Sequence, residues 1–184
     1  MHTFGATVLV YYAIPNDFFV IAPKAVILLA ALAAMFLLEG LRHAAGLELP
    51  TIRPYEVHRV ASFVFFSSAL VIAVLLFPLP IAAAIVLGTA LVDPIAGELR
   101  SQHASPLLAV GIPLAAYGLL AFVGLAAIGG WPAGDSALLA AAAAPLAVVA
   151  ELPKYPWVDD DLVMTVVPGL FLYGVGVLAL GLPS

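Results

Sequence analysis

The sequence contains no cysteine, which excludes disulfides, iron–sulfur clusters and thiolate metal sites. Charge is nearly as scarce. Only 9% of the 184 residues are charged, 6 of them basic and 11 acidic, for a net charge of −5. With no Lys/Arg cluster and an acidic balance, the chain has no footprint for nucleic acid. A basic n-region followed by a cleavage site is missing as well, so no signal peptide is expected. In place of charge the chain has apolar bulk, with 65% hydrophobic residues and a mean hydropathy of +1.19, beyond any soluble domain. Its apolar runs approach or exceed the roughly 20 residues that cross a bilayer. In lipid every backbone polar group must be satisfied within the protein. The expected fold is therefore all-α, a polytopic transmembrane bundle of six to seven helices, with residues 1–184 forming one integral membrane domain.

Breaker residues divide the chain. Residues 4–14 are apolar but short, a first helix or the stump of one, and end at Pro15-Asn16-Asp17. Spans are then expected over 18–41, 60–77, 81–99, 107–128, 136–152 and 162–182, the last interrupted at Pro168-Gly169. Pro78-Leu79-Pro80 is a tight connector that predicts a helical hairpin. The alanine-rich 136–152 stretch suits close packing. Lys24 reads as a snorkelling residue, and Trp131 and Trp157 as members of an aromatic belt. No internal repeat is apparent.

Of the 17 charged residues, 14 fall in or beside the segments 42–59, 99–106 and 152–161. With this helix count the three segments share one membrane face, and their basic residues make that face cytoplasmic. A basic bias alone does not gather the acids too. The simplest physical reading is a polar, ion-binding site at the cytoplasmic surface.

Asp93 is a lone carboxylate closing an apolar run. Such a group costs about 2.5–3.5 kcal/mol at the centre of a membrane helix and is normally retained for function or for a partner. Asp93, Gly97 and Arg100 share one helix face by i, i+4, i+7 spacing, and Pro94 frees a carbonyl one turn earlier. Glu39/Arg42, Arg53/Glu56 and Glu56/Arg59 sit at i, i+3, as interfacial salt bridges or as a cationic rim for phosphates. Asp159, Asp160 and Asp161 open the last helix. Capping and the helix dipole account for one or two acids there. Three adjacent acids also attract a cation, and Glu151 ends the preceding helix nearby. Mg²⁺ takes one or two carboxylates plus phosphate oxygens. His43, His58 and His103 lack metal-ligand spacing.

The ordered set resembles the CTP-dependent lipid-alcohol kinases, the dolichol kinase, phytol kinase and yeast-type diacylglycerol kinase family. Glu39–Arg42 matches an E-x-x-R at the end of an early helix, and Arg53–Glu56 an R-x-x-E that begins the next. Asp93, Ala96 and Gly97 resemble the family's aspartate–glycine element. Glu151 followed by Asp160-Asp161-Leu162 through Pro168 resembles its acidic element. The likeness runs in order over about 39–170. The chain departs from the family at Val92, where a glycine is usual, at Asp161 in place of asparagine, and in lacking a Lys-Ser/Thr-x-Glu-Gly segment after Arg100.

The resemblance implies phosphoryl transfer from CTP, with Mg²⁺, to a polyprenol, phytol or diacylglycerol hydroxyl. Asp93 and Glu151 would then be catalytic. Asp93, Asp160 and Asp161 would hold the metal. Arg42, Arg53, Arg59, Gly97 and Arg100 would bind the nucleotide. Two other readings stand beside it. One is a non-catalytic relative that binds a lipid or a partner. The other is a small ion or solute transporter with Asp93 on its pathway.

Overall fold

The computed structural model describes residues 2–16, 18, 19, 21–47, 56, 57, 59–151 and 158–183. Among them there is no strand. A 3-10 helix over His2–Tyr12 precedes six α-helices: α1 Lys24–Ala45, α2 Ser62–Leu76, α3 Leu79–Ser101, α4 Pro106–Phe122, α5 Ala133–Glu151 and α6 Asp160–Leu172. α4 and α6 each run on into a π-helical turn, Val123–Ile128 and Tyr173–Ala179. The protein is an all-α helical bundle. Among the described residues five helices are long and apolar enough to cross a membrane, and α2 is a shorter apolar helix.

α3 is the central element. Ile81 to Val86 is completely buried, as are Ala90 and Val92, so its apolar surface is covered all round. α4, α6 and the 3-10 helix pack directly on it. Small residues allow the closest approaches. A Cβ at Gly124 would strike the backbone of Ala84, and one at Gly129 would strike Pro80. Ala140, Ala143, Ala144 and Ala147 bury the inner side of α5 in the same core, as its composition predicts.

The termini follow local chemistry. Gly46, at φ 61°, closes α1 in the left-handed conformation, with Leu47 N–H donating to Arg42 O. Gly130 (φ 70°) and Gly181 (φ 67°) terminate the two π turns alike. The next residues, Trp131 and Leu182, donate their N–H groups back to Leu125 O and Gly176 O. Pro132 and Pro183 follow. These two endings dock on each other, with Trp131 Nε1 donating to Pro183 O at 2.9 Å and the Trp131 ring lying against Gly176.

Several expectations are corrected. The first long helix begins at Lys24 rather than at residue 18 and continues past residue 41 to Ala45. Lys24, expected to snorkel, has defined partners in the protein. Its Nζ donates to Tyr11 O and Ile14 O at 2.8 and 2.7 Å and lies over the Tyr11 ring, fastening α1 to the N-terminal segment. Trp131 is buried, at 2% exposed, rather than in a lipid-facing belt. Trp157 lies outside the described residues. Pro168-Gly169 does not interrupt α6, which continues to Leu172 with Phe77 and Ile85 packed against Gly169. The helices joined by the Pro78–Pro80 connector touch each other, although α2 packs more extensively on α6.

Candidate functional site

Hydrogen bonds define the two ends of the bundle. At one end Tyr12 donates to Phe77 O, Lys24 holds the N-terminal segment, and Trp131 meets Pro183. A cleft of about 420 Å³ lies there, among Tyr12, Pro80, Gly129 and Pro183. Its lining carries no carboxylate or cation. The opposite end gathers the C-termini of α1 and α3, the N-termini of α2 and α6, and the described charged residues other than Lys24 and Asp135.

Its foundation is a buried ion pair on α1. Glu39 and Arg42 are each 4% exposed. Arg42 Nε and Nη2 donate to the two Glu39 oxygens at 2.9 and 2.8 Å, the bidentate geometry at which arginine excels. The same Nη2 donates to Arg59 O at 2.9 Å and Glu56 O at 3.3 Å. Glu39 Oε1 accepts Ala61 N–H at 2.8 Å, which satisfies a donor at the N-cap of α2. The expected i, i+3 pair therefore forms, but inside the protein. Arg42 holds the connector 56–61 rather than facing an opening, which corrects its assignment to an exposed phosphate rim.

Glu56 and Val57 lie in a turn, and Arg59 to Ala61 lead into α2. This connector presents two charged groups to α6. Arg59 Nη2 lies 3.8 Å from Asp159 Oδ2. Ser62 Oγ lies 2.5 Å from Glu56 Oε1 and 2.7 Å from Asp159 Oδ2. The serine hydroxyl has one proton to share between the two carboxyl groups. Burial, then the neighbours Asp160 and Asp161, push the Asp159 carboxyl up to about 6, against the donation from Ser62. Asp159 is also the N-cap of α6, its Oδ1 accepting Asp161 N–H at 3.4 Å.

α6 meets α3 just beyond. Thr165 Oγ1 donates to Asp161 O at 2.8 Å and lies 3.1 Å from Thr89 Oγ1. Both hydroxyls are fully buried, so this pair fixes the register of the two helices. One turn closer to the charged end stand Asp93 on α3 and Asp161 on α6, each four residues from its threonine and on the same helix face. Asp161 is 3% exposed and Asp93 half-buried. Further along α3, Gly97 has open space where a Cβ would project, and Arg100 is exposed in the last turn.

The expected residues thus assemble in part. Asp93, Gly97, Arg100, Arg59, Asp160 and Asp161 lie at one end, around the α3–α6 junction. Arg53 lies outside the described residues. Glu151 is the last residue of α5, and its side chain lies outside them too. Among the described residues no group of three or more His, Asp or Glu side chains is placed to hold a metal ion. The donor set at the junction is the carboxylates of Asp93 and Asp161, which suits Mg²⁺ only if phosphate oxygens and water complete its shell. Ser62, Thr89 and Thr165 were missed by sequence reasoning. Their signal was a hydroxyl within an otherwise apolar run. No protein-family model, curated protein or solved structure matches the chain.

Proposed function

We propose that the protein is an integral-membrane phosphotransferase that moves a phosphoryl group from a nucleotide, CTP by resemblance, to a lipid alcohol at the cytoplasmic end of the bundle. The observation that carries this reading is the meeting of α3 and α6, where Asp93 and Asp161 stand one turn beyond the threonine pair, with Gly97 and Arg100 further along α3 and Arg59 against Asp159 at the N-cap of α6. Phosphoryl transfer demands positioning and charge stabilisation more than covalent chemistry from the protein, and the acids and cations of this end would serve both. Asp93 and Asp161, with phosphate oxygens and water completing the shell, would hold Mg²⁺, which when bound neutralises charge on the transferred phosphoryl group. Arg59 and Arg100 would face the phosphates. The missing Cβ at Gly97 leaves room for a phosphate against the backbone of α3. The threonine pair keeps the two carboxylates in register. The cytoplasmic assignment of this end rests on the basic residues of its loops.

A second reading is favoured by one observation. Arg42, matched to the family's early arginine, is consumed by internal contacts, which suits a relative that binds lipid without catalysis. The test is phosphoryl transfer in detergent, with terminally labelled CTP or ATP, Mg²⁺, and a panel of polyprenols, phytol and diacylglycerol. Label in the lipid, lost in Asp93→Asn, supports the kinase. No transfer, together with no nucleotide-dependent shift in melting temperature, refutes it and leaves the lipid-binding reading.

A further inference from the structure

α4 and α6 end in the same structure. After the π turn of α4, Gly129, Gly130 and Trp131 donate their N–H groups to the carbonyls of Gly124, Ala126 and Leu125. After that of α6, Leu180, Gly181 and Leu182 donate to Val175, Val177 and Gly176. Every donor and acceptor is displaced by the 51 positions that separate Gly130 from Gly181. The same step carries Ile128, the last residue of one π turn, onto Ala179, the last of the other. It also carries the buried Tyr117, Ala121 and Leu125 onto the buried Pro168, Leu172 and Gly176, and the exposed Leu119 onto the exposed Leu170.

Two helices that share only a cap need not agree further back. Here the step holds across the preceding loop. It takes Pro94 of α3 onto Pro145 of α5, both exposed within their helices, and the buried Val92 and Ala96 onto the buried Ala143 and Ala147. α3 packs on α4 as α5 packs on α6. The repeat, unexpected from the sequence, is hidden there because few matched residues are identical. Burial and capping bonds preserve it.

The copies part at the α3–α6 junction. Asp93 and Gly97 correspond to Ala144 and Val148, which are 3% and 5% exposed, with Ala144 beside Gly118. On α5 these two positions are packing surface. On α3 one is a carboxylate and the other meets open space where a Cβ would project. A hairpin that folds with alanine and valine there does not need an aspartate and a glycine to fold. Transporters built from repeats place their sites between the repeats, and the α3–α6 junction lies between these copies. We propose that α3–α4 and α5–α6 are two copies of one helical hairpin, and that Asp93 and Gly97 are departures of the first copy that serve ligand binding rather than folding. That the ligand carries phosphate rests on the proposed function, whereas the repeat does not.

The test uses the full chain in phosphatidylcholine nanodiscs. Spin labels at Glu98→Cys/Leu119→Cys report the first hairpin and at Val149→Cys/Leu170→Cys the second, all four being matched, exposed positions in a chain without native cysteine. The two mean distances should agree to within one helical turn, about 5.4 Å, and a larger difference overturns the repeat. Asp93→Ala/Gly97→Val gives the first copy the residues of the second. Its melting temperature should stay within about 2 °C of the parent, as for surface substitutions, while phosphoryl transfer and the thermal shift produced by CTP with Mg²⁺ are lost. A fall of about 6 °C or more, the lower bound for breaking a buried ion pair, makes the two residues structural and overturns their assignment. So does a variant that keeps transfer. Matching distances in a parent that neither transfers phosphate nor responds to nucleotide leave the repeat and remove both the kinase and the ligand role.

Discussion

Arg42→Met is the most informative single change, because it strips the arginine from a carboxylate that is 4% exposed. Arg42 supplies two hydrogen bonds to Glu39 and two more to the carbonyls of Glu56 and Arg59. Breaking a buried pair from one side costs about 3–5 kcal/mol, since the remaining charge is left without compensation. At about 2–4 °C per kcal/mol for a chain of this size, the melting temperature in detergent should fall by roughly 6–20 °C. α1 has few other attachments, so its charged end should also swing away from α2. The absence of native cysteines lets spin labels at Gly40 and Val167, both exposed, report that movement without background. The distance distribution should broaden in Arg42→Met. The double variant Glu39→Gln/Arg42→Met removes the stranded charge, while the amide oxygen of the introduced glutamine still accepts Ala61 N–H. It should recover more than half of the lost stability, giving a coupling of about 2 kcal/mol in the double-mutant cycle. A double variant no better than Arg42→Met would refute the reasoning, because the cost would then lie in lost packing and not in an uncompensated carboxylate.

Four further changes probe separate parts of the molecule. Asp159 holds its proton up to about pH 6 in the fold and to about 3.9 unfolded. The folded state therefore binds more protons between these values. Its contribution to stability is complete below the unfolded value and is lost as pH rises through the folded one. Melting temperature measured from pH 4 to 7 should decline across that window, and Asp159→Asn should remove this part of the slope. Gly124→Ala pushes a methyl group into the backbone of α3 and should destabilise by about 1–3 kcal/mol in denaturant titrations. Gly97→Ala, its counterpart at the site, meets open space and should leave stability unchanged while lowering turnover if phosphate approaches there. Trp131→Phe deletes the hydrogen bond to Pro183 and should cost about 0.5–1.5 kcal/mol, with α6 fraying first in hydrogen exchange.

The helical architecture was legible because it depends on runs. Apolar stretches longer than a bilayer is thick leave helices as the solution for a chain this apolar, and their order and number follow from the breakers between them. What escaped was set by partners distant in sequence. Lys24 gives no sign in the sequence of the Tyr11 and Ile14 carbonyls that receive it. Trp131 reads as a belt residue until Pro183 offers an acceptor. Pro168 reads as a helix break, yet α6 persists because neighbouring helices support it. At the site, spacing identified Asp93, Gly97 and Arg100 as one face and the Asp159–Asp161 run as a helix N-terminus. Spacing also paired Glu39 with Arg42 correctly. It did not reveal that the pair is buried, because i, i+3 geometry is the same on a wet face and a dry one. Ser62 and the threonines carry no charge and gave only a weak signal, yet they connect the acids of α6 to α2 and α3.

The charged end is consequently organised in two layers with different duties. Glu39, Arg42 and the connector carbonyls form an inner layer, satisfied within itself and linked through Ala61 to the start of α2. Arg59, Ser62 and Asp159 transmit that fixed position to the N-terminus of α6, and the Thr89–Thr165 bond transmits it to α3. Only then come the groups with access to the outside, Arg59 in part, Asp93, Gly97, Asp160 and Arg100. An outer group in such an arrangement is replaceable without loss of fold, whereas an inner one is not. Asp93→Asn should therefore separate function from stability, while Glu39 and Arg42 variants should lose both together. A loosely packed α1 is compatible with this division, since its charged end is fixed by the inner layer while its length stays open to lipid.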